Sequence, residues 1–458
     1  MLKITKKYSN FFNIFLVFVF LLTAGFGCKN PGAAVEEKMK PITLNYWRVF
    51  DDQDAFTDII AEYKLLHPNI NIVYRKFRVE EYDQALLEAL AEDRGPDIFS
   101  INQSDVRKYQ AKLEPMPTEI SMAYQYTKGT IKKEVAYEIR TKKSPSLREI
   151  KANFADTVYD NVVLDGQVYG LPLSLETLVM FYNKDILNKS GIAQPPRDWK
   201  SFQEAVQKST KFNATGQIIQ AGTALGTGYN IERSFDIISI LIMQNGATMT
   251  DGNGFAIFNQ ATADKYFPGL EAIQFYLDFA SPVKNVYSWN TDMPSSFEAF
   301  LSGKVAFMFG YNYHLPSIKA RAPKLNLGLA PIPQINQDNQ INYANYWIES
   351  ISKKSANKNE AWDFALFATS REQVTTFLNN TDRPTALKEL LNSQMDNENL
   401  YPTSVQTLTA KNWYRGKNQP AAEEAIKDMI EVLPTITKDR DFSSTVNTSI
   451  SKINQTIQ

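Results

Sequence analysis

The side chains able to do covalent or metal chemistry are few. One cysteine (Cys28) and two histidines (His67, His314) occur in 458 residues. A single thiol forms neither an intrachain disulfide nor a thiolate metal cluster, and two imidazoles cannot build a multi-histidine centre. No metal is expected. There is no Gly-x-Ser-x-Gly elbow, no phosphate loop and no zinc-binding helix motif. Gly226-Thr227-Gly228 lacks the third glycine and the strand-to-helix setting of a dinucleotide site. No cofactor is expected and no enzyme activity, although abundant carboxylates leave a glycosidase-like pair open. The richer resource is aromatic: 22 Tyr and 6 Trp. Each offers an apolar face and a polar tip, suited to core packing or to stacking a ligand.

Cys28 has a distinctive setting. A basic head (Lys3, Lys6, Lys7) precedes an apolar run from Phe11 to Leu22, and Thr23-Ala24-Gly25-Phe26-Gly27 leads to the cysteine. That is the order of an export signal, residues 1–27. The arrangement resembles the lipidation site of a bacterial lipoprotein, which implies an exported chain held to the membrane by acyl groups on Cys28. Gly27 fits that pattern; Gly25 stands where leucine is usual. An uncleaved anchor is the alternative, although about 17 apolar residues fall short of the roughly 20 that span a bilayer comfortably.

Residues 28–40 read as a flexible tether. The remaining chain is too long for one core and predicts two or three domains. With 49 basic and 50 acidic residues, no nucleic-acid partner is implied. Ile42–Trp47 alternates as a strand. A helix follows from Asp54, with Phe56, Ile59, Ile60, Tyr63 and Leu66 at helical spacing. His67-Pro68-Asn69 breaks it. Ile70–Tyr74 is a second strand, Glu80–Ala91 a second helix, and Asp97–Ile101 a third strand. The order predicts a mostly parallel sheet covered by helices. Residues 118–156 are locally basic (Lys128, Lys132, Lys133, Arg140, Lys142, Lys143, Arg148, Lys151). They read as a solvated helical face, contact with an anionic surface being the alternative. Leu178–Asn183 and Val305–Phe309 are strands. Ile231–Met243, Ala272–Phe279, Phe297–Leu301 and most of 359–457 are helical.

Several signatures occur in a fixed order. They are Leu44-Asn45-Tyr46-Trp47, His67-Pro68-Asn69, Gly95-Pro96-Asp97-Ile98, Tyr169-Gly170-Leu171-Pro172 with Tyr182-Asn183-Lys184-Asp185, Phe297-x-x-Phe300-Leu301-x-Gly303-Lys304-Val305, and Asn359-Glu360-Ala361-Trp362. In this order the chain resembles the extracellular solute-binding proteins of sugar ABC transporters, a family that includes maltose-binding protein. The resemblance implies a two-lobed α/β fold of the periplasmic-binding type II class, each lobe a mostly parallel sheet flanked by helices, joined by a hinge. It divides the chain into an N-terminal lobe (41–173 plus 341–380) and a C-terminal lobe (174–340 plus 381–458). It implies a solute, most often a sugar, held between the lobes by hinge closure. It further implies a membrane permease as partner, a monomer, and a location at the outer membrane face or in the periplasm. A peptide or polyamine ligand, or a sensing role, remains open.

A sugar needs polar groups at its rim and flat aromatics against its faces. Candidates stand where strands end at the cleft. Trp47 and Asp51 follow the first strand, and Asn102 and Gln103 the third. The resemblance places a hydroxyl acceptor at Glu176. Tyr229 and Asn230 lie in a glycine-rich loop, and Trp289 in a polar loop. Tyr311 and Asn312 follow Gly310; Asn312 stands where the family often has Trp. Tyr346 and Trp347 mark the second crossing. Arg383 stands near the third, as a ligand group or an inter-lobe ion pair. Trp413 lies between late helices.

Overall fold

A computed structural model of the protein describes residues 31–436 and 438–457. Cys28 and the export segment lie outside the described residues. Two hydrophobic cores organise the chain. The first draws on residues 44–175 and 344–378, with Ala386, Leu387, Leu390 and Ala410. The second draws on 178–343 and 413–453.

The first lobe forms as the apolar spacing dictates. Ile42–Val49 pairs in parallel with Ile70–Phe77 and with Ile98–Asn102. Between them, Asp54–Leu66 buries Ala55, Phe56, Ile59 and Tyr63, one stripe of a helix. Trp347–Ser352 then returns from the other lobe. It enters antiparallel beside Ile98–Asn102 and also pairs with Leu113–Glu114 and Leu171–Pro172. In the second lobe Val179–Asn183 is flanked by Val305–Gly310 and Leu327–Pro331, both antiparallel. Ile218–Thr223 adds the parallel pairing. Both sheets are therefore mixed, not mostly parallel. Strands that follow a crossing arrive from the opposite lobe and run against their neighbours. Ser234–Gln244 is buried along nearly its whole length, as an apolar helix inside a lobe must be. It begins three residues later than its sequence suggests, because Arg233 takes a left-handed φ of 61°.

The lobes are joined by a small sheet of their own. Glu176–Thr177 pairs antiparallel with Asn342–Asn345, and Asn342–Asn345 pairs in parallel with Ala410–Lys411. A further bridge ties Ser174 to Thr385.

Two further expectations change. The basic stretch is not a helical face but a hairpin, Glu119–Lys128 against Glu134–Lys143, in continuous register. Alternation explains it: Ile120, Met122 and Tyr124 are buried on one side of the inner strand, and β-prone Val135, Tyr137 and Ile139 fill the outer one. The inner strand is fixed at its midpoint. His67 Nδ1 lies 2.8 Å from the Ala123 carbonyl and Nε2 lies 3.3 Å from Asp363, which also accepts from Tyr63 and Tyr124 hydroxyls. The tether, in turn, is partly helical: Pro31–Lys38 forms a helix. Proline at its first position and a run of Ala, Glu and Lys favour it.

Gly170, in one of the family-like motifs, allows Leu171–Pro172 to approach Trp347–Ser352 closely. A β-carbon there would lie 2.8 Å from the Glu349 carbonyl and 2.7 Å from Ser350 Oγ. Gly170→Ala should destabilise the fold by about 1–3 kcal/mol through forced strand separation. Thermal unfolding measures this, and an unchanged midpoint would show that the strand pairing yields without cost.

Candidate functional site

The cleft opens beside the inter-lobe crossings, and a chain of alternating charges lines its floor. Glu349, 1% exposed in the returning strand, accepts hydrogen bonds from the Tyr46 hydroxyl and Ser100 Oγ, both at 2.7 Å. It pairs with Arg48 at 2.9 Å. Arg48 reaches Asp51 at 3.0 Å, and Arg383 Nε reaches the other oxygen of Asp51 at 2.8 Å. Arg383 Nη1 then meets Glu176 at 3.0 Å, and the Tyr313 backbone N–H donates to the remaining Glu176 oxygen at 3.2 Å. Burial raises the Glu176 pKa, and Arg383 pulls it back. The run passes from the first-lobe sheet, through the hinge, to the backbone of the second lobe.

Phe50 projects from this floor. Its φ is +70°, rare for a bulky residue, and the Asp51 N–H bonds back to the Val49 carbonyl at 2.9 Å. This tight turn costs strain and sets the ring in the cleft. There it stacks on Tyr313 of the opposite lobe, 6.2 Å between centroids and 12° between planes. Phe50, Tyr313, Asp51, Glu176 and Arg383 border two cavities. One, of about 420 Å³, also takes in Tyr82, Trp347, Asn102, Asn345, Tyr346, Asp83, Asp105, Lys108, Arg233 and Glu423. The other, of about 600 Å³, takes in Asn312, Lys319 and Asn399.

The first cavity combines aromatic faces with polar groups. Phe50, Tyr82, Tyr313 and Trp347 give it aromatic walls, and Trp347 meets Phe50 edge-on at 5.6 Å. Its charges mostly pair within the protein: Lys108 with Asp83, and Arg233 with Asp236, which also accepts from Tyr311. Asp105 and Glu423 have no cationic partner within ion-pair distance among the described residues. Burial pushes the Asp105 carboxyl up to about 6, with Lys108 opposing and Asp83 and Glu423 adding to the rise.

The structure sorts the sequence candidates. Asp51, Asn102, Glu176, Tyr346, Trp347 and Arg383 line the first cavity, and Asn312 the second. The others lie elsewhere. Trp47 packs beside Phe77 at 4.5 Å under Arg75, since alternation turns it away from the cavity. Gln103 is buried beside Tyr346, its N–H bonded to that carbonyl at 3.1 Å. Tyr229 lies on the surface, bonded to Asp428. Asn230 braces its loop through the Asn290 and Met293 carbonyls. Trp289 is fully buried, and Trp413 packs on Phe235 and donates to Ser239. Tyr311 is a buried support for Asp236 and Tyr313. In these cases the large aromatic serves the core.

Sequence reasoning missed Phe50, Tyr313, Arg233, Asp105 and Asn345. Two had visible signals. Phe50 adjoins Asp51 at a strand end, and Tyr313 supplies an aromatic one residue beyond the position where Trp was sought. Arg233 and Asp105 gave none, because their placement depends on turns.

Asp105 yields a pH prediction. A carboxyl whose folded pKa is raised binds its proton more tightly in the native state. Its ionisation therefore costs stability, and the cost develops as pH rises from about 4 to about 6. Asp105→Asn should raise the unfolding midpoint at pH 7.5 and change it little at pH 4. An equal effect at both values would mean that the carboxyl is not perturbed.

Known proteins share the fold. Residues 50–375 match the model for "Bacterial extracellular solute-binding protein". A binding protein of Brucella abortus (strain 2308) is 29% identical over 238 residues, 51% of this chain and 54% of its own, so the chain spans about half the length of that relative. The galactooligosaccharide-binding protein of Bacillus subtilis (strain 168) is 22% identical over 405 residues, covering 85% of this chain and 83% of that protein. Among solved structures, the cyclic alpha-maltosyl-1,6-maltose binding protein from Arthrobacter globiformis superposes with a TM-score of 0.71 at 18% identity, covering 91% of this chain and 99% of that one. A cyclo/maltodextrin-binding protein complexed with maltotetraose gives 0.69 at 17% identity, covering 92% and 98%. These two establish the two-lobed fold, and the match over residues 50–375 identifies the chain as a member of the bacterial extracellular solute-binding protein family.

Proposed function

We propose that the protein captures a carbohydrate between its lobes outside the cytoplasm and delivers it to an ABC-type membrane permease. The observation that carries this reading is the first cavity, where Phe50, Tyr313 and Trp347 stand with Asn102, Asn345 and charged groups between the lobes. Stacking faces and a hydrogen-bonding rim are what a pyranose requires. At about 420 Å³ the space falls in the roughly 300–1,000 Å³ range of small-molecule sites. Two relatives, from Bacillus subtilis, are named for galactooligosaccharide and maltodextrin binding, which supports the substrate class. A ligand touching Trp347 on one lobe and Tyr313 on the other would favour the closed arrangement through differential contact.

The site would rest on Asp51, Asn102, Glu176, Tyr346, Trp347 and Arg383, with Phe50, Tyr313 and Asn345 added. Glu176 differs from the simple acceptor expected from sequence, since both its oxygens already have partners. A hydroxyl there would share a lone pair with a hinge brace. A second reading has one observation in its favour. Asp105 and Glu423 lack cationic partners within ion-pair distance among the described residues, which suits a cationic solute such as a polyamine.

Export and attachment complete the reading: residues 1–27 direct the chain outward, and Cys28 carries the lipid. Cys28→Ser should release the protein from the membrane fraction with binding intact; continued sedimentation would point to an uncleaved anchor.

Thermal unfolding against saccharides, peptides and polyamines tests the ligand class. A solute bound only by the folded state raises the midpoint according to concentration over dissociation constant. A saccharide shift is expected. A shift with polyamines alone would replace the ligand class. Trp347→Ala should weaken saccharide binding about tenfold or more with little change in the ligand-free midpoint, because the ring is only half-buried. Unchanged affinity would remove Trp347 from the site.

A further inference from the structure

The basic hairpin takes no part in the cleft, yet its outer strand is left bare. Every side chain from Glu134 to Lys143 is exposed or half-exposed. Its tip carries Ile131, 100% exposed, and Val135 follows at 61%. Between Glu119 and Lys143 the sequence places six cations against three carboxylates. Two of the cations pair locally, Lys132 with Glu134 and Arg140 with Glu138. Lys142 lies over the Tyr124 ring at 4.4 Å. Lys128, Lys133 and Lys143 have no ion-pair partner among the described residues. Exposed apolar groups set among unpaired lysines suit the interface of an anionic bilayer, where the apolar tip enters the headgroup layer and the ammonium groups meet phosphate.

A second observation fixes which surface is near. The helix Pro31–Lys38 packs against both strands of the hairpin, and Lys38 Nζ donates to the Ser121 carbonyl at 2.9 Å. Asn69 holds the chain just after it, donating to the Lys38 carbonyl at 3.1 Å and to the Lys40 carbonyl at 3.0 Å. Three residue steps separate Cys28 from Pro31, at most about 11 Å of extended chain. A membrane attachment at Cys28 therefore brings the bilayer to the side of the molecule that bears the hairpin. The inner strand is buried as far as Tyr124, so its last four residues, about 13 Å, project toward the tip.

We propose that the Glu119–Lys143 hairpin seats its Gly129–Lys133 tip on anionic lipid headgroups, orienting the tethered protein on the membrane. This rests on the reading of Cys28 as the attachment point. With Cys28 acylated, Ile131→Cys gives the full-length protein one free thiol for an environment-sensitive fluorophore. The labelled protein is reconstituted into phosphatidylcholine vesicles with and without phosphatidylglycerol. A blue shift is expected with phosphatidylglycerol, smaller without it, and lost when Lys128, Lys132 and Lys133 are changed to Glu. The same label at Val283→Cys, 88% exposed in the second lobe, should not shift. Sedimentation with the vesicles but no shift at residue 131 would overturn the hairpin contact and leave the attachment standing. An equal shift on neutral vesicles, or at residue 283, would overturn it too. Labelling of the parent protein at Cys28, or failure to sediment, would remove the attachment and the hairpin contact together.

Discussion

The cleft depends on one unbroken alternation of charge: Glu349, Arg48, Asp51, Arg383, Glu176. Each inner member has an opposite charge on both sides, so each desolvated group is compensated twice. A buried ion pair is weak evidence of net stability, because desolvation offsets much of the Coulomb gain. Its value here is positional. Arg48 and Asp51 fix the turn that projects Phe50. Arg383 ties that turn to the crossing at Glu176, and Glu176 reaches the backbone at Tyr313. Removing one member takes a compensating charge from each of its neighbours, so the parts are interdependent.

This arrangement links the hinge to the ligand walls. Phe50 and Tyr313 come from different lobes and face each other across the floor. The small crossing sheet lies beside them, with its strands bonded edge to edge. Strands bonded in this way resist sliding past one another, so a line through this sheet is where bending between the lobes would fall. Rotation about that line changes the Phe50–Tyr313 spacing directly. Under the proposed function, a solute held between the lobes would act on that same spacing.

The sequence made the elements legible wherever one face is apolar. The helix bearing Phe56, Ile59 and Tyr63 and the strands at 42 and 70 follow from spacing alone. Mixed strand direction was hidden, because it depends on which lobe the chain has just left. The hairpin was obscured by its lysines, which drew attention from the alternation of Ile120, Met122 and Tyr124. In the site, residues beside the crossings were readable from position, as with Trp347 and Arg383. Trp289, Tyr311 and Trp413 show why the rest was not: a large aromatic in a loop has the same local signature whether it walls a cleft or fills a core. Only the packing around it decides.

The returning strand Trp347–Ser352 has a consequence for biogenesis. It lies one place in from the edge of the first-lobe sheet, between Ile98–Asn102 and Leu113–Glu114, and also holds Leu171–Pro172. The ribosome delivers it about 240 residues after those partners. Until then Leu113–Glu114 and Leu171–Pro172 have no strand to join them to the first sheet, and contacts so distant in sequence form slowly. The first lobe thus cannot complete its sheet until about three quarters of the chain has been made, and a late truncation would cost the early lobe as much as the late one.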